Sequence, residues 1–276
     1  MGRRRWIPAK ESVIAAASLC VVAALPGCSA APSAAPSAAD PPAPTAVHSA
    51  VHSTARPARA AFAFTVAGNR PVRPSGSQDT HAQTPNATCD SATFASDKAL
   101  GARLARAFAL AGFPVSADLL AHFLAGQGTG VNYRAGSPIA RKAQASAAFR
   151  ALNAGVQNAI LGQLKAGRTR VRLSAAQLPA VAFESTSSDL YWGFRGTQGL
   201  TVTGRGTREN GRYAGTLSYV IRDSYGFPGG DTLDGFGPPM RYLQTVCGAP
   251  RHAGGAHWFP DTITVTVPFN QPAPGN

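Results

Sequence analysis

The sequence predicts an α+β fold in which N-terminal helices pack on a mainly antiparallel β-sheet, and three observations carry this prediction. Apolar residues recur at helical spacing over residues 97–166. From Arg168 onward the apolar repeat shortens to two, which is the spacing of strands. Asn210-Gly211 separates two alternating runs and is a strong hairpin signal. Helices followed by strands with short connections are typical of α+β domains.

Three helices are expected in the first part of the domain. Ser96 or Asp97 can cap the first and Ser116 the second, while Ser137-Pro138 begins a third that continues to about Lys165. Apolar residues line one face of the third helix: Phe149, Leu152, Val156, Ile160 and Leu164. The run from Gly126 to Gly130 is interpreted as a helix stop and loop, because no strand precedes it and no phosphate-binding Gly-Lys-Ser/Thr follows it.

The second part of the domain, residues 168–269, is expected to be rich in strands. Alternating or β-branched runs predict strands over 168–173, 190–194, 200–204, 212–222 and 262–267. On the strand after Asn210-Gly211, Tyr213, Leu217, Tyr219 and Ile221 share an apolar face. The opposite face of that strand, which carries Arg212, Thr216, Ser218 and Arg222 and only one large apolar residue, is expected to meet water or a partner.

Charge and composition restrict the classes of partner. The chain has a formal net charge of +13, and 22 basic against 12 acidic residues lie after residue 27. Such a charge attracts anionic polymers and lipid headgroups. A nucleic-acid partner is not expected, because residues 28–276 contain no run of more than two adjacent basic residues and the chain is expected to be exported.

The first 28 residues have the layout of an export signal. Arg3, Arg4, Arg5 and Lys10 precede an apolar run from Val13 to Leu25, which is too short to cross a bilayer. The ending Leu25-Pro26-Gly27-Cys28 resembles the lipobox of bacterial lipoproteins. This resemblance implies that residues 1–27 are removed, that Cys28 is acylated, and that the protein is held on the extracytoplasmic face of the cell membrane. An ordinary secretory signal with a chance cysteine is the alternative.

Residues 28–85 are expected to form a disordered Pro/Ala-rich linker, followed by a single domain over 86–276. The linker is poor in large apolar residues and cannot bury enough surface to offset its conformational entropy. Its one alternating run, Phe62 to Val66, either adds a strand to the domain or forms an apolar patch.

Cys89 and Cys247 remain once Cys20 is removed with the signal and Cys28 is acylated. A disulfide is the simplest interpretation outside the cytoplasm. Two isolated cysteines are too few for a metal site, although a reactive thiol near a histidine is a further alternative. No metal and no cofactor are predicted.

Two segments are candidate sites of chemistry. The loop after Arg222 carries Asp223, Tyr225, Asp231 and Asp234, which could act as acid and base or could simply cap turns. The segment from Arg251 to Asp261 contains His252 and His257 before a carboxylate. His257 either acts as a base or packs partly buried with a ring nitrogen on a backbone carbonyl.

These residues lead to two hypotheses of different classes. The preferred one is a lipid-anchored binding protein that uses cationic side chains, namely Arg205, Arg208, Arg212 and Arg222. The rival is an envelope hydrolase or toxin-like enzyme that uses Asp223, Tyr225, Asp231 and His257 in one cleft. The absence of His-Glu-x-x-His and Gly-x-Ser-x-Gly motifs favours the binding protein.

The order of motifs in the C-terminal half also carries a resemblance. The runs His-Phe-Leu-Ala-Gly-Gln-Gly, Phe-Arg-Gly-Thr-Gln-Gly-Leu and Gly-Thr-Leu-Ser-Tyr-Val-Ile-Arg-Asp-Ser-Tyr-Gly-Phe precede Trp-Phe-Pro-Asp-Thr-Ile-Thr-Val-Thr-Val. In this order they are similar to uncharacterised bacterial modules found at the C-termini of toxin-type proteins. The resemblance implies no catalytic residue. The lipid anchor and linker differ from the large delivery region of such proteins.

Overall fold

Helices and a mixed six-stranded sheet make up the part of the chain that the computed structural model describes, residues 62–71, 87–183, 188–194, 197–227, 235–248 and 251–273. The helices are α1 (Ser91–Leu110), α2 (Pro114–Ala125), α3 (Pro138–Ala145), α4 (Ala147–Lys165), α5 (Asp189–Phe194) and α6 (Gly237–Thr245). The strands are β1 (Phe62–Arg70), β2 (Val131–Tyr133), β3 (Arg170–Leu173), β4 (Gly199–Glu209), β5 (Arg212–Tyr225) and β6 (Phe259–Pro272). The predicted α+β class is confirmed.

The strand order in the sheet is β2-β6-β5-β4-β1-β3. The pairs β6-β5, β5-β4 and β4-β1 are antiparallel, whereas the short edge strands β2 and β3 run parallel to β6 and β1. The sheet is therefore mostly antiparallel, as predicted, with a parallel pair at each edge.

One face of the sheet, called the inner face below, contributes to a continuous apolar core. Alternate residues of β5 and β6, such as Leu217, Tyr219, Ile263 and Val265, are buried there. The predicted face of α4 is also buried, and the Phe149 ring lies 5.1 Å from the Tyr219 ring. Burying a side chain of this size contributes about 1.5–3 kcal/mol, so these contacts account for much of the stability of the fold.

The Asn210-Gly211 hairpin is confirmed. Both residues have positive φ, 49° and 72°, as a two-residue turn of type I′ requires. Further from the turn, on the same two strands, Gly206 pairs with Gly215. A Cβ on Gly206 would lie 2.3 Å from the Ala214 carbonyl oxygen, so the backbones approach each other there as only glycine permits.

Phe62 to Val66, whose assignment the sequence left open, belongs to β1. This strand lies between β3 and β4, and Phe64 and Val66 are buried in the core. The segment 28–85 therefore contains a strand of the sheet, and the folded part of the chain begins before residue 86. The signal peptide, Cys28 and the remainder of the expected linker, apart from Pro71, lie outside the described residues.

Helix boundaries differ from the prediction where a side chain finds a better partner. Asp90 caps α1 by accepting a hydrogen bond from the Thr93 N–H at 2.7 Å, so the helix begins before Ser96. Ser116 does not cap α2, because it is buried and bonds to Asp189. The third predicted helix is divided at Ser146, which ends α3 and caps α4.

The strand predicted over 190–194 is wrong, because this segment forms helix α5. Leu190, Gly193 and Phe194 are buried at i, i+3 and i+4, which is helical spacing, whereas Trp192 is only half-buried. Helix α6 also lies within the region that was expected to be rich in strands, and β2 lies within the helical region. By contrast, the loop predicted at Gly126 to Gly130 is confirmed, since Gly126 ends α2 in the left-handed conformation.

The predicted disulfide is confirmed. Cys89 precedes α1 and Cys247 follows α6, and their Cα atoms are 5.0 Å apart across 158 residues of sequence. Tyr242 of α6 also accepts a hydrogen bond from the Asp90 backbone N–H at 2.8 Å. The disulfide therefore joins the first and last helices of the described region.

Candidate functional site

The outer face of the sheet, opposite the inner face, is the most polar surface that the structure describes on regular strands. Register places arginines of three strands on it, namely Arg170, Arg172, Arg205, Arg212 and Arg222. Hydroxyl side chains fill the positions between them: Thr65, Thr201, Thr203, Thr207, Thr216, Ser218, Ser224, Thr262, Thr264 and Thr266. Glu209 is the one acidic residue among the described positions of this face.

Strand geometry sets the spacing of these cations. Arg205 is in register with Thr65, and Thr65 with Arg170, so Arg205 and Arg170 lie two strands apart, about 10 Å. Arg212 and Arg222 stand at opposite ends of β5, about 34 Å apart at the usual rise per residue. The outer face is thus an elongated cationic surface bordered by hydroxyl groups.

Two of these arginines are held in place by hydrogen bonds. The Arg222 Nη1 donates to Thr201 Oγ1 at 2.6 Å, and the Arg212 Nε donates to Asn270 Oδ1 at 2.7 Å. Arg170, Arg172 and Arg205 are exposed. The predicted binding residues Arg205, Arg212 and Arg222 therefore share one face.

Arg208, the fourth predicted binding residue, has the opposite parity on β4. Its guanidinium lies 5.9 Å from the centre of the Tyr213 ring, and Tyr213 is buried on the inner face. Arg208 thus lies away from the other three. Arg170 and Arg172 were not singled out from the sequence, although the alternation of basic and apolar residues over 168–173 was the signal for them.

A second feature, on the inner face, is a pair of carboxyl groups. Asp223 of β5 is in register with Asp261 of β6, so their Cβ atoms lie about 5 Å apart. Asp261 is completely buried and neither carboxyl oxygen has a hydrogen-bond partner. Asp223 is 9 % exposed, and its Oδ1 accepts a hydrogen bond from the Ser224 N–H at 2.9 Å.

Burial raises the pKa of Asp261 well above its usual range, and the nearby charge of Asp223 raises it further. Burial also raises the pKa of the Tyr133 phenol, with a contribution from Asp261. Asp261 therefore keeps its proton to higher pH than an exposed aspartate does, next to a second carboxyl group. Such a pair can exchange a proton, but Asp261 is sealed from solvent and cannot touch a substrate in this structure.

Tyr225 and His257, the other predicted catalytic residues that the structure describes, have packing contacts of their own. Tyr225 is buried, and its ring stacks on Phe259 at 5.4 Å. His257 precedes β6, and its Nδ1 lies 2.5 Å from the Trp258 carbonyl oxygen, which agrees with the packed alternative. Asp231 and Asp234 lie outside the described residues.

The other two histidines in the described ranges also make local contacts. His252 packs on Phe94, with ring centres 4.5 Å apart, and the Nε2 of His122 lies 2.8 Å from the Thr129 carbonyl oxygen. Within the described ranges, no three His, Cys, Asp or Glu side chains are grouped as metal ligands.

An open groove of about 880 Å³ lies between the α3–α4 junction and the segment before α5. Its lining is mostly apolar and includes Leu152, Val181 and Phe183. At its edge Lys142 forms a 2.9 Å ion pair with the buried Asp189. None of the predicted catalytic residues that the structure describes lines this groove.

Comparison with protein-family models, with curated proteins and with solved structures finds no match for this chain. None of the helices in the described part of the chain is long and apolar enough to span a membrane.

Proposed function

We propose that the protein is a lipid-anchored component of the cell envelope, held through Cys28, whose sheet binds an anionic envelope polymer outside the cytoplasm. One observation carries the proposal: the described positions of the outer face present five arginines and ten hydroxyl groups against a single carboxylate. In this proposal the helices form a layer on the inner face and leave the outer face for the ligand.

The chemistry of this face favours an anionic rather than a neutral ligand. Arginine matches phosphate and carboxylate groups through its planar array of N–H donors, and neighbouring hydroxyl groups can donate further hydrogen bonds. The described positions of the outer face carry no aromatic side chain on which a neutral sugar ring could stack. An extended polymer with repeated phosphate or carboxylate groups suits the length of the cationic surface.

Two features support the extracytoplasmic location. The Leu-Pro-Gly-Cys ending of the apolar run suits acylation of Cys28. The Cys89–Cys247 disulfide suits an oxidising compartment. Mass spectrometry of the mature protein tests this part, because an unmodified Cys28 or a retained Met1 would contradict it.

The envelope hydrolase is supported less well. It requires Asp223, Asp231 and His257 to converge in an accessible cleft. Asp223 is nearly buried beside Asp261, and the His257 Nδ1 is in contact with a backbone carbonyl. A binding role needs only the exposed face.

Binding of the full chain to poly(glycerol phosphate), with neutral dextran as the reference polymer, tests the outer face. We expect the triple variant Arg170→Gln, Arg172→Gln, Arg205→Gln to bind about 100-fold more weakly, because each arginine near an anionic surface contributes roughly 1 kcal/mol. Arg212 and Arg222 are left intact because their hydrogen bonds hold neighbouring strands.

The matched control removes the same charge elsewhere. Arg106 of α1 and Arg150 and Lys165 of α4 are exposed positions on helices rather than on the strands of the outer face, and their replacement by Gln should weaken binding only slightly. Equal losses in both triple variants, or binding that does not weaken with added salt, would contradict recognition by the outer face.

A further inference from the structure

Helix α1 has an unusual environment for a long helix. It contains 20 residues, yet Gly101 is the only one that is fully buried. It contacts α2 and α6, and the tight approach to α2 is made at Gly101, where a Cβ would lie 2.9 Å from the Leu124 side chain. Most of the helix surface therefore faces away from the core.

The exposed side of α1 ends in a distinctive stripe. Arg103, Arg106 and Leu110 follow one another at i, i+3 and i+7, so they lie on the same side of the helix. Leu110 is 89 % exposed and is the one exposed large apolar side chain among the described residues. An isolated exposed leucine is ordinary, but Leu110 lies in the last turn of α1 together with Phe108, whose ring belongs to an aromatic group.

Aromatic side chains surround the end of α1. The Phe108 ring lies 5.4 Å from Trp192 of α5 and 6.4 Å from Phe113, and Trp192 lies 4.9 Å from Tyr191. All four rings are half-buried, and each therefore keeps part of its surface exposed. The chain from Phe108 to Val115 contains no polar side chain.

Exposed cations outnumber exposed carboxylates in this part of the chain, where Asp118 of α2 is the exposed carboxylate nearest in sequence to Phe113. No Asp or Glu occurs over residues 98–117. Asp189, at the start of α5, is completely buried and is paired with Lys142. Arg103 and Arg106 are exposed one and two turns before Leu110. The surface thus combines an apolar and aromatic tip with a cationic border.

We propose that this surface, called the Leu110 tip and made of Arg103, Arg106, Leu110, Phe113 and Trp192, docks on an anionic lipid bilayer. Leu110 and the rings enter the headgroup layer, where tryptophan and tyrosine are favoured, and the two arginines bind lipid phosphates. A bilayer suits the tip because it offers an apolar layer directly beneath a plane of negative charge, and this arrangement complements the one on the protein.

Docking on a bilayer goes beyond the proposed function. It rests on the proposed function only for the location of the protein at a membrane. The tip lies on helices α1 and α5, whereas the polymer-binding arginines lie on β3, β4 and β5. A tip resting on the bilayer would supply a second membrane contact besides the lipid on Cys28. Two weak membrane signals together give stable attachment where one does not.

The test uses the full chain and its tryptophan fluorescence. Vesicles of phosphatidylcholine with about one third phosphatidylglycerol are compared with pure phosphatidylcholine vesicles, both containing brominated acyl chains that quench tryptophan on contact. The signal of Trp192 is obtained as the difference between the wild-type protein and Trp192→Phe. A Cys28→Ser background prevents acylation, and every variant is compared in that same background.

We expect Trp192 to be quenched in the anionic vesicles and not in the neutral ones. Arg103→Gln with Arg106→Gln should weaken the apparent affinity about 30-fold, because each arginine contributes a factor of about five at an anionic surface. Leu110→Ser should reduce the quenching further, with little effect on folding because the side chain is exposed. The charge-matched control, Arg134→Gln with Arg150→Gln, should behave as the wild-type protein does.

An absence of Trp192 quenching in anionic vesicles would overturn the proposal, and so would quenching that Leu110→Ser leaves unchanged. Retained binding to a protein partner by an unquenched tip would assign the surface to that partner instead. The outer-face variant Arg170→Gln, Arg172→Gln, Arg205→Gln should leave the quenching intact. The outer-face variant therefore tests polymer binding, whereas the variants of Arg103, Arg106 and Leu110 test bilayer docking.

Discussion

Replacing Asp261 by Asn should make the protein more stable, by an amount that grows with pH. The pKa of Asp261 is raised well above the usual 3.8, first by burial and then by the charge of Asp223. In the unfolded chain the carboxyl group ionises near 3.8, whereas in the folded protein it holds its proton to higher pH. The contribution of this group to wild-type stability is therefore greatest below pH 3.8 and is lost as pH rises toward the folded-state pKa.

The magnitude follows from linkage. Each pH unit between the two pKa values lowers the wild-type free energy of unfolding by about 1.4 kcal/mol through this group. Asn cannot ionise, so the difference in free energy of unfolding between Asp261→Asn and wild type should be larger at pH 5.5 than at pH 4.5, by at most that amount. Urea denaturation of the oxidised full chain at both pH values measures the difference.

A second variant separates ionisation from the cost of burying polar atoms. Asp261→Leu also removes the two carboxyl oxygens that have no partner, and an unpaired buried polar group costs about 1–3 kcal/mol. The difference in free energy of unfolding between Asp261→Leu and wild type should change with pH by the same slope as for Asp261→Asn. At every pH it should be larger than for Asp261→Asn. A flat difference for both variants would refute the assignment of Asp261 as a buried neutral acid, and a slope in only one would show that another group titrates.

Two further predictions concern the framework. Cys89→Ala with Cys247→Ala should lower the free energy of unfolding by roughly 4 kcal/mol, because the disulfide closes a long loop, and equal urea midpoints for variant and wild type would contradict this. Gly206→Ala should destabilise the protein by about 1–3 kcal/mol, since its Cβ would lie 2.3 Å from the Ala214 carbonyl oxygen. Gly162→Ala is the matched control, because nothing lies within 4 Å of its Cβ and alanine favours a helix by roughly 1 kcal/mol, so a loss of stability there would count against the reasoning.

The carboxyl pair was within reach of sequence reasoning but was not recognised. Ile263, Val265 and Val267 set an apolar parity, and Asp261 falls on it. Asp223 likewise continues the parity of Tyr219 and Ile221. Alternation therefore indicates that each carboxyl group faces the core. That the two face each other depends on the pairing of β5 with β6, which short-range patterns do not specify.

Local chemistry determined the features that depend on neighbours in sequence. The period of apolar residues predicted the buried faces of α4 and β5. Asn210-Gly211 predicted the hairpin that joins β4 and β5, because only a few residue types adopt positive φ at low cost. The parity of Arg212 and Arg222 likewise placed them on an exposed face. These properties need only the geometry of one helix, one strand or one turn.

Tertiary contacts decided the rest. The apolar residues of segment 190–194 fit both the helical and the strand repeat. The segment forms a helix, at whose start Asp189 is held by Ser116 and Lys142. Phe62 to Val66 becomes a strand because β3 and β4 supply its hydrogen-bond partners. The outer-face arginines and the Leu110 tip are likewise assembled from distant segments. Such contacts join residues far apart in the chain, and their free energy comes from pairing and burial that exist only once the whole domain has folded.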